Sequence, residues 1–160
     1  HEPRQTLPFF TFENTWARSN YWAMVVLPPG RLPQTATPET YLPGIAALEH
    51  SSPESDVWPA YTAAMQRWPD NLAAKIAAGN FAYSRNNLIL AEQLFLEAAQ
   101  AHPDSVAAFN NLAQTLSDLG KYAAALVAAR RAVEIGGSLE SVARGTLEEI
   151  EQRMRGARKE

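Results

Sequence analysis

Apolar residues recur every three or four positions from residue 72 onward, which is the spacing of amphipathic helices. The spacing is interrupted at residues 86–87, 102–105 and 120–121, where Asn, Pro, Ser or Gly occur. The pattern predicts helices over residues 72–85, 88–101, 106–119 and 122–135. A further helix is expected after Gly137, with an apolar stripe formed by Leu139, Val142, Thr146, Ile150 and Met154. This part of the chain therefore predicts an all-α fold.

The helical segments repeat with a period of 34 residues, which separates Pro69, Pro103 and Gly137. A fixed period of this length is typical of helix pairs that bury their apolar faces by stacking on neighbouring pairs. Pro43, Pro53 and Pro59 are expected to interrupt the first pair, because proline inside a helix removes a hydrogen bond. The predicted organisation is an N-terminal extended segment at 1–37, repeats at 38–69, 72–103 and 106–137, a capping helix at 138–155 and a frayed tail at 156–160.

Helix start and stop signals follow the same period. Asn86 and Gly120 are 34 residues apart, and both residue types readily adopt the left-handed backbone that ends a helix. A second set of residues stands where a side-chain oxygen can cap the next helix: Asp70, Asp104 and Ser138. We therefore expect short turns inside each pair and capped starts between pairs.

Small residues at the helix crossings carry a family resemblance. Gly79 faces alanines at positions 91 and 98 in the predicted pair, and alanines at 125 and 132 repeat this in the next pair. Together with Phe95, Leu112, Tyr122, the closing prolines and the period, they make residues 38–137 resemble the tetratricopeptide repeat family. Lys75 departs from the family at a position usually held by a bulky aromatic residue. The resemblance implies an all-α helix-turn-helix solenoid of about three repeats with a capping helix, acting as a non-catalytic scaffold that binds a protein or peptide partner.

In that family the first helix of each pair lines a concave groove. The matching positions nominate seven binding residues: Leu42, Ile76, Asn80, Tyr83, Asn110, Gln114 and Ser117. Amide side chains can bond the backbone of an extended peptide, although solvated polar positions on a helix look the same in a sequence. Asn80 and Asn111 are similar to the asparagines of carboxylate clamps, but Ile76 and Ala107 stand where the clamp has lysines. A terminal carboxylate is therefore not the expected ligand.

The N-terminal segment does not follow the repeat. Its apolar run from Tyr21 to Leu27 predicts a strand, and an isolated strand must pair with a partner, such as a second copy of the chain, or lie in a groove. Residues 12–30, with Trp16, Trp22 and the Pro28-Pro29-Gly30 exit, resemble the end of a papain-like domain of bacteriocin-processing cysteine peptidases. This resemblance implies an alternative function as the accessory or docking part of a bacterial envelope protein whose catalytic residues lie upstream.

Composition narrows the chemistry of the chain. It has 160 residues, a formal net charge of −3 and no cysteine, which leaves no thiolate for a metal site or a nucleophile within it. The net charge of −3 comes entirely from residues 1–70, because acidic and basic residues are equal in number over residues 71–160. No excess of basic residues therefore favours binding to nucleic acid. The longest apolar run is too short to span a bilayer, and no phosphate loop, metal-ligand spacing or catalytic constellation occurs. We therefore expect no cofactor, no metal and no enzymatic activity of this chain by itself.

Overall fold

The computed structural model describes residues 36–158. Within them all regular structure is helical, which confirms the predicted all-α, tetratricopeptide-type helical repeat. The elements are α1 (Pro38–Ser51), α2 (Glu54–Arg67), α3 (Leu72–Ser84), α4 (Leu88–Ala101), α5 (Val106–Asp118), α6 (Tyr122–Ile135), a 3₁₀ turn (Gly137–Leu139) and α7 (Glu140–Ala157). The predicted strand at 21–27 and the papain-like resemblance at 12–30 lie outside the described residues.

Helices α3 to α6 agree with the sequence prediction to within one residue at each end. Asn86 has a φ of 59° and Gly120 a φ of 73°, so both adopt the predicted left-handed conformation. In each turn the next N–H reaches back five residues, from Asn87 to the Ala82 carbonyl at 2.9 Å and from Lys121 to the Leu116 carbonyl at 2.8 Å. This bond satisfies a terminal carbonyl of the preceding helix and closes both turns in the same way.

The predicted helix caps were wrong by one position. Asn71 Oδ1 accepts from the Ala74 N–H at 2.8 Å, and Ser105 Oγ accepts from the Ala108 N–H at 3.2 Å. A capping side chain bonds the N–H three residues ahead, so the residue directly before the helix caps it, rather than Asp70 or Asp104. Ser138 lies within the 3₁₀ turn, and no side chain caps α7.

The chain divides between Ala74 and Lys75 into two compact units. In the first unit, α1 and α2 are continuous helices despite Pro43 and Pro59, so the expected interruptions inside them do not occur. Tyr41 packs edge-on against Trp68 with ring centroids 5.7 Å apart. The buried Tyr61 donates its hydroxyl hydrogen to Glu49, which ties α2 to α1. The pKa of Tyr61 is raised, first by burial and then by this bond.

In the second unit, α3 and α4 approach each other closely at Gly79. A Cβ on Gly79 would lie 2.5 Å from Cε1 of Phe95, so only glycine allows the ring to approach the α3 backbone. Ala91 and Ala98 are completely buried nearby on α4. Helix α5 then packs against α4, α6 and α7, and α6 packs against α7. The core of this unit is therefore rich in small side chains at the places where helices cross.

Helix α7 continues the 34-residue register of α5, the first helix of the preceding repeat. Its buried residues Ala143, Thr146 and Ile150 each follow a residue of α5 by 34 positions, namely Phe109, Leu112 and Leu116. The expected apolar stripe was therefore partly wrong, because Leu139 and Val142 are 42% and 53% exposed. The predicted stripe starts at Leu139, but this residue ends the 3₁₀ turn and α7 begins only at Glu140.

Candidate functional site

The structure brings part of the nominated set together on the second unit. Asn80, Tyr83 and Gln114 line one cavity of about 130 Å³, together with Phe95 and Asn111. We refer to these five residues as the amide cavity. Ile76 is half-buried on α3, one turn before Asn80. Leu42 is half-buried on α1 in the first unit.

Two amides of the cavity are bonded to each other. Asn111 Nδ2 donates to Asn80 Oδ1 at 3.0 Å, which joins α5 to α3. The side-chain N–H groups of Asn80 and the Oδ1 of Asn111 are not used in this bond. The side-chain amide of Gln114 has no hydrogen-bond partner among residues 36–158. The cavity therefore presents both donors and acceptors beside the rings of Tyr83 and Phe95.

Asn110 and Ser117 lie at the nominated register of α5 but are 9% and 3% exposed. The Oδ1 of Asn110 and the Oγ of Ser117 have no hydrogen-bond partner in the described part of the chain. Residues 110, 114 and 117 share a helix face, yet only Gln114 lines the amide cavity. Asn111, one position from the nominated Asn110, lies in the cavity in its place.

Tyr83 is fixed by a network across three helices. Its hydroxyl donates to Asp118 Oδ2 at 2.5 Å, and Arg153 Nη1 donates to Asp118 Oδ1 at 2.6 Å. Arg153 also pairs with Glu149 at 2.7 Å. The hydrogen bond to Asp118, followed by burial, raises the pKa of Tyr83 to about 12. Tyr83 thus presents its ring to the cavity, while its hydroxyl is already bonded to Asp118.

Phe95 and Asn111 are not among the seven binding residues predicted from the sequence. Phe95 is 1% exposed and belongs to the core, but Gly79 lets its ring reach the wall of the cavity. Asn111 did carry a signal, since it is similar to an asparagine of carboxylate clamps. The Asn80–Asn111 bond brings these two asparagines together, while Ile76 and Ala107 supply no cation at the clamp positions.

The described residues show no features of two other kinds of site. Residues 36–158 contain no cluster of three His, Cys, Asp or Glu side chains arranged to hold a metal ion. Among the same residues no helix has both the length and the apolar character of a membrane span.

Comparison with known proteins bears on the repeat. The family model described as Tetratricopeptide repeat matches residues 94–127. This span covers residues 94–101 of α4, all of α5 and residues 122–127 of α6, and its length equals one 34-residue period. The match supports a tetratricopeptide repeat protein and, generally, a protein–protein interaction scaffold. A sequence comparison with curated proteins gives no match, so the papain-like resemblance has no support from these comparisons.

Proposed function

We propose that this chain is a non-catalytic scaffold that binds an extended peptide segment at the amide cavity. The observation that supports this most directly is the juxtaposition of unused amide donors and acceptors with two aromatic rings on adjacent helices. An extended backbone offers one N–H and one C=O per residue at about 3.3 Å intervals. Asn80, Asn111 and Gln114 can bond such a backbone without reading its sequence.

The size of the cavity favours a peptide over a small-molecule ligand. Its volume of about 130 Å³ is below the range of roughly 300–1,000 Å³ typical of small-molecule pockets. A space of that size accepts part of one side chain beside the backbone. Tyr83 and Phe95 provide the apolar contact for that side chain, which is the usual role of aromatic residues at interfaces.

The charge of the site favours an internal peptide segment. Among residues 36–158, no lysine or arginine lines the amide cavity, and Ile76 and Ala107 stand where a clamp needs cations. A terminal carboxylate bound here would lose its hydration without gaining an ion pair, which is unfavourable. The ligand therefore passes through the site rather than ending in it.

A displayed library of random peptides, selected on the full chain, tests this proposal. The selected peptide is then titrated against the wild type and the double variant Asn111→Ala with Gln114→Ala. Loss of two hydrogen bonds, each worth about 1 kcal/mol, weakens affinity by about 10- to 30-fold. Gln100→Ala is the matched control, because Gln100 is an exposed amide on α4 outside the cavity. No selected peptide, or equal losses for the control, contradicts the proposal.

A second candidate function rests on residues 12–30 alone. These residues would belong to a papain-like domain in a bacterial envelope protein, with the repeats positioning its substrate or docking it. The full open reading frame tests this, since the candidate requires an upstream cysteine and histidine.

Self-association through residues 21–27 is tested separately by light scattering of the chain with and without residues 1–30. A monomer in both cases contradicts it.

A further inference from the structure

A second and larger cavity lies on the helices around α5, and we call it the outer groove. Its volume is about 740 Å³, and among the residues that the structure describes it shares no lining residue with the amide cavity. Phe109, Leu112 and Leu116 of α5 contribute to its lining, with Leu96 of α4 and Val127 of α6. Helices α4 and α6 are the second helices of two successive repeats. They flank an apolar surface of α5, the first helix of the later repeat.

Two of the large aliphatic side chains that line the outer groove are exposed, whereas Leu112 and Leu116 are buried. Val127 is 70% exposed and Leu96 is 43% exposed, although each is a large aliphatic residue. Contiguous exposed apolar surface with a polar rim is typical of interaction sites, because covering it releases water from that surface. A site of this volume holds several side chains at once.

Charge at the rim indicates the chemistry of the occupant. Arg131 is engaged, since it pairs with Glu134 at 3.4 Å and donates to the Pro103 carbonyl at 3.2 Å. Arg130 also lines the groove and is exposed, and its guanidinium forms no ion pair or hydrogen bond with residues 36–158. With Glu134 balancing Arg131, Arg130 leaves a net positive charge on this rim. A carboxylate is its natural complement.

We propose that the outer groove binds an amphipathic helix of another protein, with carboxylates beside its apolar stripe. Such a helix places side chains at i, i+3 or i+4, and i+7 along one face, which suits an apolar trough between two helices. A second copy of this chain fits less well. A symmetric contact places the same patch opposite itself, so two hollow surfaces and two basic rims would meet.

Three synthetic helical peptides of about 16 residues, just over four turns, test the proposal on the full chain. All carry the same leucines. The first has them in one stripe flanked by glutamates, the second has lysines in place of the glutamates, and the third scrambles the first. We expect the glutamate peptide to bind about tenfold or more tightly than either other peptide. Equal affinities of the three peptides, or no binding by any of them, overturn the proposal.

Variants locate the binding surface. Val127→Glu and Leu96→Glu should each weaken the glutamate peptide by about tenfold or more, because they place a carboxylate within the apolar lining. Ile89→Glu is the matched control, since Ile89 is 66% exposed on the same helix as Leu96 but does not line the groove. Arg130→Glu should reverse the preference towards the lysine peptide. Binding that is unchanged by Val127→Glu, or equally weakened by Ile89→Glu, overturns the proposal.

Two further measurements distinguish other occupants. Sedimentation of the full chain over a range of concentrations detects self-association, and co-sedimentation with phosphatidylserine vesicles detects binding to an anionic membrane. We expect neither. Self-association or vesicle binding that Val127→Glu removes would assign the groove to a second copy or to a lipid surface and overturn the proposal.

Discussion

Asn111 donates a hydrogen bond to Asn80 at 3.0 Å and joins the first helices of two successive repeats. The two residues are 31 positions apart, so the bond does not follow the 34-residue period of the buried residues. Its position at the amide cavity means that the same amides join two helices and offer their remaining atoms to a ligand. Removal of the Asn111 side chain therefore changes both the contact between α3 and α5 and the cavity surface, whereas removal of the Gln114 side chain, which bonds neither helix, changes the cavity surface alone.

A double-mutant cycle on Asn80→Ala and Asn111→Ala measures this bond. Because Asn80 is exposed, we expect a coupling energy of about 0.5–1 kcal/mol in denaturant unfolding, at the lower end for hydrogen bonds. Asn80→Ala combined with Gln100→Ala is the control pair and should be additive. A coupling of zero between Asn80 and Asn111 would mean that the two amides do not bond in solution.

Gly79→Ala should destabilise the protein by about 1–3 kcal/mol, because the added methyl meets the Phe95 ring at 2.5 Å. The ring is buried and cannot move away freely. Thermal or denaturant unfolding followed by circular dichroism measures the loss.

Gly145→Ala is the matched control for that substitution. Gly145 lies inside α7, and a methyl group added there would meet nothing within 4 Å, so alanine should stabilise the helix by about 0.5–1 kcal/mol. Opposite signs at the two glycines would confirm that contact with Phe95, rather than helix propensity, requires Gly79. A stabilising effect of Gly79→Ala would contradict the close approach of α3 and α4.

The sequence predicted helices better than it predicted the site. Asn86 and Gly120 fixed the helix ends because left-handed backbone is a local property of one residue. The burial of Asn110 and Ser117 was not predictable in the same way, since a repeat register assigns a helix face without showing how deeply neighbouring helices cover it. The position of Phe95 at the amide cavity was not predictable for a related reason. Its contact with the amide cavity depends on the missing side chain of Gly79, a residue 16 positions away.

Tyr83→Phe should reduce stability in a pH-dependent way. The folded state raises the pKa of Tyr83 from 10.0 to about 12, chiefly through the bond to Asp118, so the neutral phenol stabilises the fold. This contribution is complete below pH 10 and is lost as the pH rises through about 12. The wild type should therefore be more stable than the variant below pH 10, and the difference should shrink above it.

Unfolding midpoints of both proteins across this range measure the difference, with Tyr122→Phe as the control. A difference that stays constant across the range would contradict the role of Asp118.

Two buried serines of the second unit should respond to alanine with opposite signs. Ser105 is 8% exposed and its Oγ accepts from the Ala108 N–H, so Ser105→Ala removes a helix cap and should cost about 1 kcal/mol. Ser117 is 3% exposed and its Oγ has no partner among the described residues, so Ser117→Ala removes a buried, unpaired hydroxyl. Relief of that desolvation and the better helix propensity of alanine should together stabilise the protein by about 1 kcal/mol. Denaturant unfolding of both variants under the same conditions checks the pair. A loss of stability in Ser117→Ala comparable with that in Ser105→Ala would show that the Ser117 hydroxyl is hydrogen-bonded in solution.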